Sequence, residues 1–460
     1  MALPVQSFRW MVFIPIAAIF YVLVAFSWAD EQMIEKRLTI VEAVLIALED
    51  NHEIKAMQSA YAAQEQDIGI ARSYLLPKIS IEERYLRTNN PGYSFMSKLN
   101  QERIETLDFN PNTLNHPDAI NDYQSSVNIE QPIFAKKAFV GLEMSRNESL
   151  AKNEELKRKQ EEIAFQVVNA CLTIMSAKEY VRVATLGVTD AQEHLRVAEL
   201  RYKNDLGQYA DSLRANTALT EARQKLNIAQ KNLRLAKRGL GLLLATTDSL
   251  DVDDSAFDLT LKELSFYTKN ADARSDLRAV ELRGENAAQN IRMAQAGYFP
   301  YIGIGGTYQL NDHDQPFGSE GKSWQVMAFL RWEIFDGTKR EYEWAKAKHL
   351  ESQSREYLSA VKKGISFKIY EAYMNVEEAR QNIELACEAL KTSEEGARLL
   401  KLRYENGFSS LSDLLNTQTS LEQARAGVVE RSNAYKVALA ALSLESGTIF
   451  HDLNIDKKIR

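Results

Sequence analysis

Residues 163–204 read IAFQVVNACLTIMSAKEYVRVATLGVTDAQEHLRVAELRYKN, and the spacing of their apolar side chains decides the fold. Ile163, Val167, Ala170, Ile174, Ala177, Val181, Ala184, Val188, Ala191, Leu195, Ala198 and Tyr202 follow in alternating steps of four and three, the 3.5-residue period of a coiled-coil seam. Alanine at every second seam position lets a partner helix approach closely. No proline occurs between Pro132 and Pro300 to stop the helix. Over 139–203 it would extend roughly 95 Å at 1.5 Å per residue, longer than a globular domain needs. A second seam follows at once, Leu219, Ala222, Leu226, Ala229, Leu233, Ala236, Leu240 and Leu243. The pair therefore forms an antiparallel hairpin that projects, with its tip near Asp205-Leu206-Gly207.

The hairpin occurs twice. Arg201-Tyr202-Lys203-Asn204 is echoed by Arg403-Tyr404-Glu405-Asn406, and the same offset of about 202 residues aligns Asp211 with Asp413 and Arg223 with Arg425. Ile365, Ile369, Ala372, Val376, Ala379, Ile383, Ala386 and Leu390 repeat the seam, and the second tip falls at Gly407-Phe408-Ser409. Leu76-Pro77-Lys78-Ile79 matches Phe299-Pro300-Tyr301-Ile302 at a larger offset, so the first half carries an insertion. The Pro- and Asn-rich stretch from Arg87 to Asp122 accounts for it and is expected to be an exposed loop. The organisation predicted is a leader over 1–29, a first repeat over 30–247, a connector over 248–271, a second repeat over 272–447 and a tail over 448–460. In each repeat a helix precedes a β-hairpin, at about 78–133 and 301–335, and a long helical hairpin follows, at 139–247 and 340–447.

The β segments have period two. Tyr123, Ser125, Val127 and Ile129 alternate with polar residues, as do Trp324, Val326, Ala328, Leu330, Trp332 and Ile334 with their neighbours. Ile79-Ser80-Ile81 and Ile302-Gly303-Ile304 begin their partner strands, giving four strands per chain. Strands of about ten residues can cross a bilayer at a tilt, but four cannot close a barrel. Membrane insertion would need two chains for eight strands or three for twelve. Arg9, the apolar run from Trp10 to Phe26 and Ser27-Trp28-Ala29 read as a cleaved secretory signal, the run being short of the roughly 20 residues of a spanning anchor. The residue directly after Ala29 is Asp30 and not a cysteine, which argues against a lipoprotein.

Other chemistry is sparse. Charged residues make up 26% of the chain, hydrophobic residues 45%, and the formal charge is −7, a balance that speaks against a nucleic-acid partner and against disorder. The six histidines form no HExxH or i, i+4 pair. Gly303, Gly305 and Gly306 lie within a strand pattern and not between strand and helix, so they read as small barrel residues, not a phosphate loop. No catalysis, cofactor or metal is predicted. Cys171 and Cys387 lie 36 and 22 residues before the two tips at Gly207 and Ser409. That separates them in height by about 20 Å, against the roughly 6 Å of a disulfide, so two free thiols are expected.

These residues together resemble the outer-membrane efflux protein family, the TolC-like channels. The matching segments are Leu38-Thr39-Ile40-Val41-Glu42-Ala43, Ala71-Arg72 to Leu76-Pro77, Gln131-Pro132-Ile133-Phe134, Arg274-Ser275-Asp276-Leu277-Arg278-Ala279, Ala296-Gly297-Tyr298-Phe299-Pro300, Ile334-Phe335-Asp336-Gly337 and the two Arg-Tyr tips. The resemblance implies a mostly α chain whose long coiled-coil hairpins build an α-barrel through the periplasm. Its four strands would join a shared 12-stranded barrel in the outer membrane of a Gram-negative bacterium, in contact with outer-membrane lipid, as a homotrimer. It further implies a passive exit duct of a tripartite efflux pump or type I secretion system, docked to a periplasmic adaptor (membrane fusion) protein and an inner-membrane pump or ABC transporter. Carried onto this chain, Tyr404 would tie to Asp211 of the neighbouring hairpin to shut the periplasmic tip, and Asp413 would face the pore. Asn416 stands where a second carboxylate ring is expected, and Ser409 where an arginine gate partner is. Asp205 replaces the usual glycine of the first tip, with Gly207 able to compensate. Asn204, Asp205, Leu206, Gly207, Asn406, Gly407 and Phe408 would form the adaptor-docking tips. Asp211 and Asp413 also stand where helix N-termini favour a carboxylate. The competing function is a periplasmic helical-hairpin adaptor or scaffold.

Overall fold

A computed structural model describes residues 37–253 and 259–456; the expected signal lies outside them. Helices α1 (Ile40–Asp50) and α2 (His52–Ser73) lead into strand β1 (Lys78–Thr88). Helix α3 (Pro91–Asn100) and strand β2 (Ile120–Phe134) follow, then the hairpin of α4 (Lys136–Lys203) and α5 (Tyr209–Leu243). The second half repeats this with α6 (Ser275–Gln295), β3 (Tyr301–Asp312), β4 (Gly321–Arg331), α7 (Lys339–Glu405) and α8 (Leu411–Glu445). Helix α4 runs unbroken for 68 residues and α7 for 67. None of the described helices is both long and apolar enough to cross a membrane.

The seam is buried where it was expected at Ile163, Val167, Ile174, Ala191 and Ala198. Between them the buried stripe runs through Val183 and Gly187, leaving Val181, Ala184 and Val188 half-covered. The cause is that α4 packs against α8 as well as α5, and along its length against α1, α2 and α6, so one heptad stripe is too narrow. The main core gathers α1, the start of α2, the middle of α4, the end of α5 and the C-terminal segment, around Ile54, Ile163, Leu172, Ile174, Leu240 and Ile455. Arg274 fastens α6 to it: its Nε and Nη2 donate to Asp276 at 2.9 and 2.7 Å, while Nη1 reaches Glu445 Oε2 at 3.1 Å.

The four strands form one antiparallel sheet in the order β1-β2-β3-β4. Paired residues share a face, so the register sorts the side chains. Ile79, Ile81, Val127, Ile129, Ile304, Tyr308, Trp324, Val326 and Leu330 lie on one face. Arg84, Gln124, Ser126, Asn128, Thr307, Gln309, Asn311 and Gln325 lie on the other. One face is thus mainly apolar and the other mainly polar, the alternation that a transmembrane barrel wall requires. Gly303 lies under the Phe329 ring, where a Cβ would come within 2.7 Å of it, which explains a small residue in this strand.

Two expectations need correction. Strand β4 ends at Arg331 and not near residue 335. The carbonyls of Glu333 and Ile334 instead accept from the Arg340 guanidinium at 2.9 and 2.8 Å, and Gly337 and Thr338 turn with φ of +72° and +70°. The stretch 87–122 is not simply an exposed loop. Asn90 and Pro91 form the N-cap and first turn of α3, with Asn90 Oδ1 accepting from Tyr93 N, and Ser94, Ser97 and Gln101 are buried.

Candidate functional site at the hairpin tips

Helices α4 and α7 end in the same way. Asp205 N donates to Tyr202 O at 3.1 Å and Leu206 N to Arg201 O at 2.8 Å; Gly407 N and Phe408 N repeat these bonds to Tyr404 O and Arg403 O at 3.0 and 2.8 Å. These are Schellman closures. Asn204 and Asn406 each return a side-chain amide to the carbonyl of Leu200 or Leu402, at 2.8 and 2.7 Å. The residue that must take a left-handed φ is Gly407 at +82° in one tip and Asp205 at +58° in the other. Gly207 therefore does not compensate for Asp205: it keeps a negative φ, and its missing Cβ leaves room for the Arg201 side chain. The closures leave Leu206 and Phe408 projecting into solvent at equivalent positions.

The tips touch through Arg201. Its guanidinium donates to the carbonyls of Tyr404 and Glu405 in the second hairpin and to Leu206 O in its own, the last at 3.0 Å, and it lies 5.0 Å over the Tyr404 ring. Tyr404 is 3% exposed, packed among Val197, Ala198, Ala215, Leu411 and Leu414. Burial, and after it the charge of Asp211, pushes the phenol above its ordinary pKa. Among the described residues Tyr404 and Asp211 are not hydrogen-bonded; Asp211 lies 3.8 Å from Arg214.

Asp413 is the N3 member of a capping box: its backbone N–H donates to Ser410 Oγ at 3.1 Å and its carboxylate accepts from Ser410 Oγ at 2.7 Å. At the first tip Gln208 offers no side-chain cap. Asp413 and Asn416 share the exposed face of α8, opposite buried Leu411, Leu414 and Gln418. Ser409 Oγ donates to Leu400 O of its own hairpin at 3.5 Å.

A second tie, which the sequence reading did not single out, lies further up the hairpins. His194 Nε2 contacts Gln418 Oε1 at 3.4 Å; Gln418 Nε2 and Arg425 Nη1 each donate to Asp190 Oδ2 at 2.9 Å. Burial holds the His194 imidazole below its ordinary pKa, against the opposing pull of Gln418 and Asp190. The available signal was the i, i+4 pair Asp190/His194, two polar residues beside a seam of Ala and Leu. Cys171 is buried and Cys387 exposed, both free thiols.

What the tips offer is two helical ends held together by a cation and carbonyls, with apolar residues projecting. Comparison with known proteins gives this geometry its context. Over 154 residues the chain is 26% identical to protein CyaE of Bordetella pertussis, a match covering 33% of this chain and 32%, about a third, of CyaE. It is 18% identical to the outer membrane efflux protein BepC of Brucella suis across 90% of this chain and 86% of BepC. Its fold superposes on the crystal structure of a membrane protein from Pseudomonas aeruginosa with a TM-score of 0.74 at 18% identity, covering 89% of this chain and 93% of that one. The profile of the outer membrane efflux protein family matches residues 44–246 and 267–448. With most of the first repeat and all of the second inside that match, the chain belongs to the outer membrane efflux protein family, whose members are outer-membrane channels and not enzymes.

Proposed function

We propose that three copies of this chain close into one channel-tunnel, the passive exit duct of a tripartite efflux pump or type I secretion system, gated where the hairpin tips converge. The observation that carries the reading is that both edges of the protomer are unfinished. Strands β1 and β4 each keep an unpaired edge, which a soluble sheet would have to protect. In the helical part, α5 exposes Ile228, Leu235 and Leu242 at heptad intervals, and α7 exposes Tyr342, Leu350 and Tyr357. Seams of this kind call for a neighbouring helix. A second copy covers strand edge and helix edge together, and three copies supply twelve strands, enough to hold water open where eight leave a filled lumen.

At the periplasmic end, Arg201 holds the neighbouring hairpins together through the carbonyls of Tyr404 and Glu405, with Asp211 facing the Tyr404 phenol, and Asp413 with Asn416 lines the entrance. Leu206 and Phe408, with Asn204, Asp205, Gly207, Asn406 and Gly407, form the surface for a periplasmic adaptor, and an inner-membrane pump or ABC transporter supplies the energy. The adaptor alternative would need one hairpin between compact β domains, whereas the described residues hold two hairpins, one four-stranded sheet and a two-residue parallel pairing of Arg37–Leu38 with Asp251–Val252. The test is native mass after detergent extraction of outer membranes, corrected for bound detergent. Three chains are expected; a monomer or dimer overturns the reading.

A further inference from the structure

Helix α3 is amphipathic the wrong way round. The face turned to the sheet is small and polar: Ser94 Oγ donates to Thr88 O at 3.2 Å, Ser97 Oγ to Asp122 Oδ2 at 3.2 Å, and Gln101 Nε2 to Asp122 Oδ1 and Asn121 O at 2.9 Å each. Asn311 Nδ2 adds a bond to Asp122 Oδ1 at 2.9 Å. The opposite face exposes Tyr93, Met96 and Leu99, continued by Leu107 and Phe109. A helix that buries its polar side and leaves its apolar side open lacks a partner.

The register tells on which side of the wall the helix lies. Asp122, Asn311 and Gly321 belong to the polar face of the sheet, the one bearing Gln124, Gln309 and Gln325, at the end far from the long helices. The approach is close, since a Cβ on Gly321 would fall 1.8 Å from Asn100 O. The apolar surface of α3 therefore faces the lumen of the barrel and not lipid. Twelve strands about 4.8 Å apart, tilted by about 40°, close into a wall roughly 24 Å across. A helix about 10–12 Å thick against the inside of such a wall reaches its axis.

We propose that the α3 segments of three copies meet on the channel axis through Tyr93, Met96 and Leu99 and form an apolar lid across the outer mouth. The partner of this surface is the same surface on two further copies, so the lid rests on the trimer proposed above. The channel then has a constriction at each end, and the outer one works by excluding water and ions from an apolar contact.

The test uses the full-length protein in intact cells with Cys387→Ser, Cys171 being buried. Gln325→Cys puts a reporter thiol on the luminal face below the lid, and a bulky membrane-impermeant maleimide is added outside. Labelling is expected to run roughly tenfold faster when Tyr93, Met96 and Leu99 are all changed to Asp than with the native lid. Gly321→Ala, which pushes on the Asn100 backbone, should act in the same direction. Separately, Met96→Cys in the otherwise native lid should oxidise to covalent dimers, which needs Cα atoms within about 7 Å. Equal labelling rates, or no covalent dimer, in a protein whose native mass is three chains overturn the lid alone. A native mass other than three chains overturns the channel reading itself.

Discussion

Asp205 and Gly407 occupy the same left-handed position in equivalent closures, at φ +58° and +82°, so the two tips form a paired experiment. A Cβ at such a position costs about 1–2 kcal/mol, less for Asp, while glycine loses about 0.5–1 kcal/mol to its freer unfolded chain. Gly407→Ala should therefore lower stability by about 1 kcal/mol and Asp205→Gly should change it by less than about 0.5 kcal/mol, read as thermal midpoints by circular dichroism. The thiols separate as sharply. Burial pushes Cys171 up to about 12, while Cys387 is exposed on α7. Since the thiolate is the reactive species, a maleimide titration at pH 8 should find one thiol per native chain and two after denaturation. A second reactive thiol in the native protein would mean that the core around Cys171 opens.

At the level of elements, Arg201 and Arg403 look interchangeable in sequence, yet only Arg201 crosses between hairpins; Arg403 Nη2 reaches Phe408 O of its own tip at 3.4 Å. Charge-assisted bonds to carbonyls contribute about 1.5–3 kcal/mol. Arg201→Ala should then cost at least about 1 kcal/mol more than Arg403→Ala, and equal costs would remove the clamp. The long helices were legible because a seam of alternate apolar residues has one reading, and the strands because period two admits no other. The Arg201 clamp was hidden because a duplication copies the residue and not its neighbours. Helix α3 was hidden because Asn90-Pro91 marks a turn and a helix start with the same letters. The His194 tie adds a pH dependence. Facing it are Asp190 and Glu193 on α4, Glu394, Arg398 and Lys401 on α7, and Gln418 and Arg425 on α8. A base held below its ordinary pKa binds its proton more readily when the protein is unfolded. Stability is then full above about pH 6.5 and falls as the pH drops below it. In His194→Gln the thermal midpoint should change less between pH 7 and 5 than in the native protein; an unchanged slope would assign the acid response elsewhere.

For the whole molecule, the question at the tip is which group holds the aperture closed. The phenol of Tyr404 faces the charge of Asp211 without a hydrogen bond, whereas Arg201 grips the backbone of Tyr404 and Glu405. In planar bilayers Arg201→Ala should raise conductance more than Tyr404→Phe, and Tyr404→Phe with Asp211→Ala should exceed Tyr404→Phe alone; unchanged conductance in all three would sink the proposed tie. Asp413 has two duties that substitution can separate. Its carboxylate accepts from Ser410 as a capping group, and it lies on the exposed face of α8 with Asn416. Asp413→Asn keeps an oxygen for the cap and removes the charge, whereas Asp413→Ala removes both, at about 1 kcal/mol of helix stability. Three carboxylates around one axis favour cations. In a potassium chloride gradient both variants should therefore move the reversal potential toward zero by similar amounts, and Asp413→Ala alone should lower the thermal midpoint. A reversal potential unmoved by Asp413→Asn would leave Asp413 with capping only and put the selectivity of the channel at another level of the lumen.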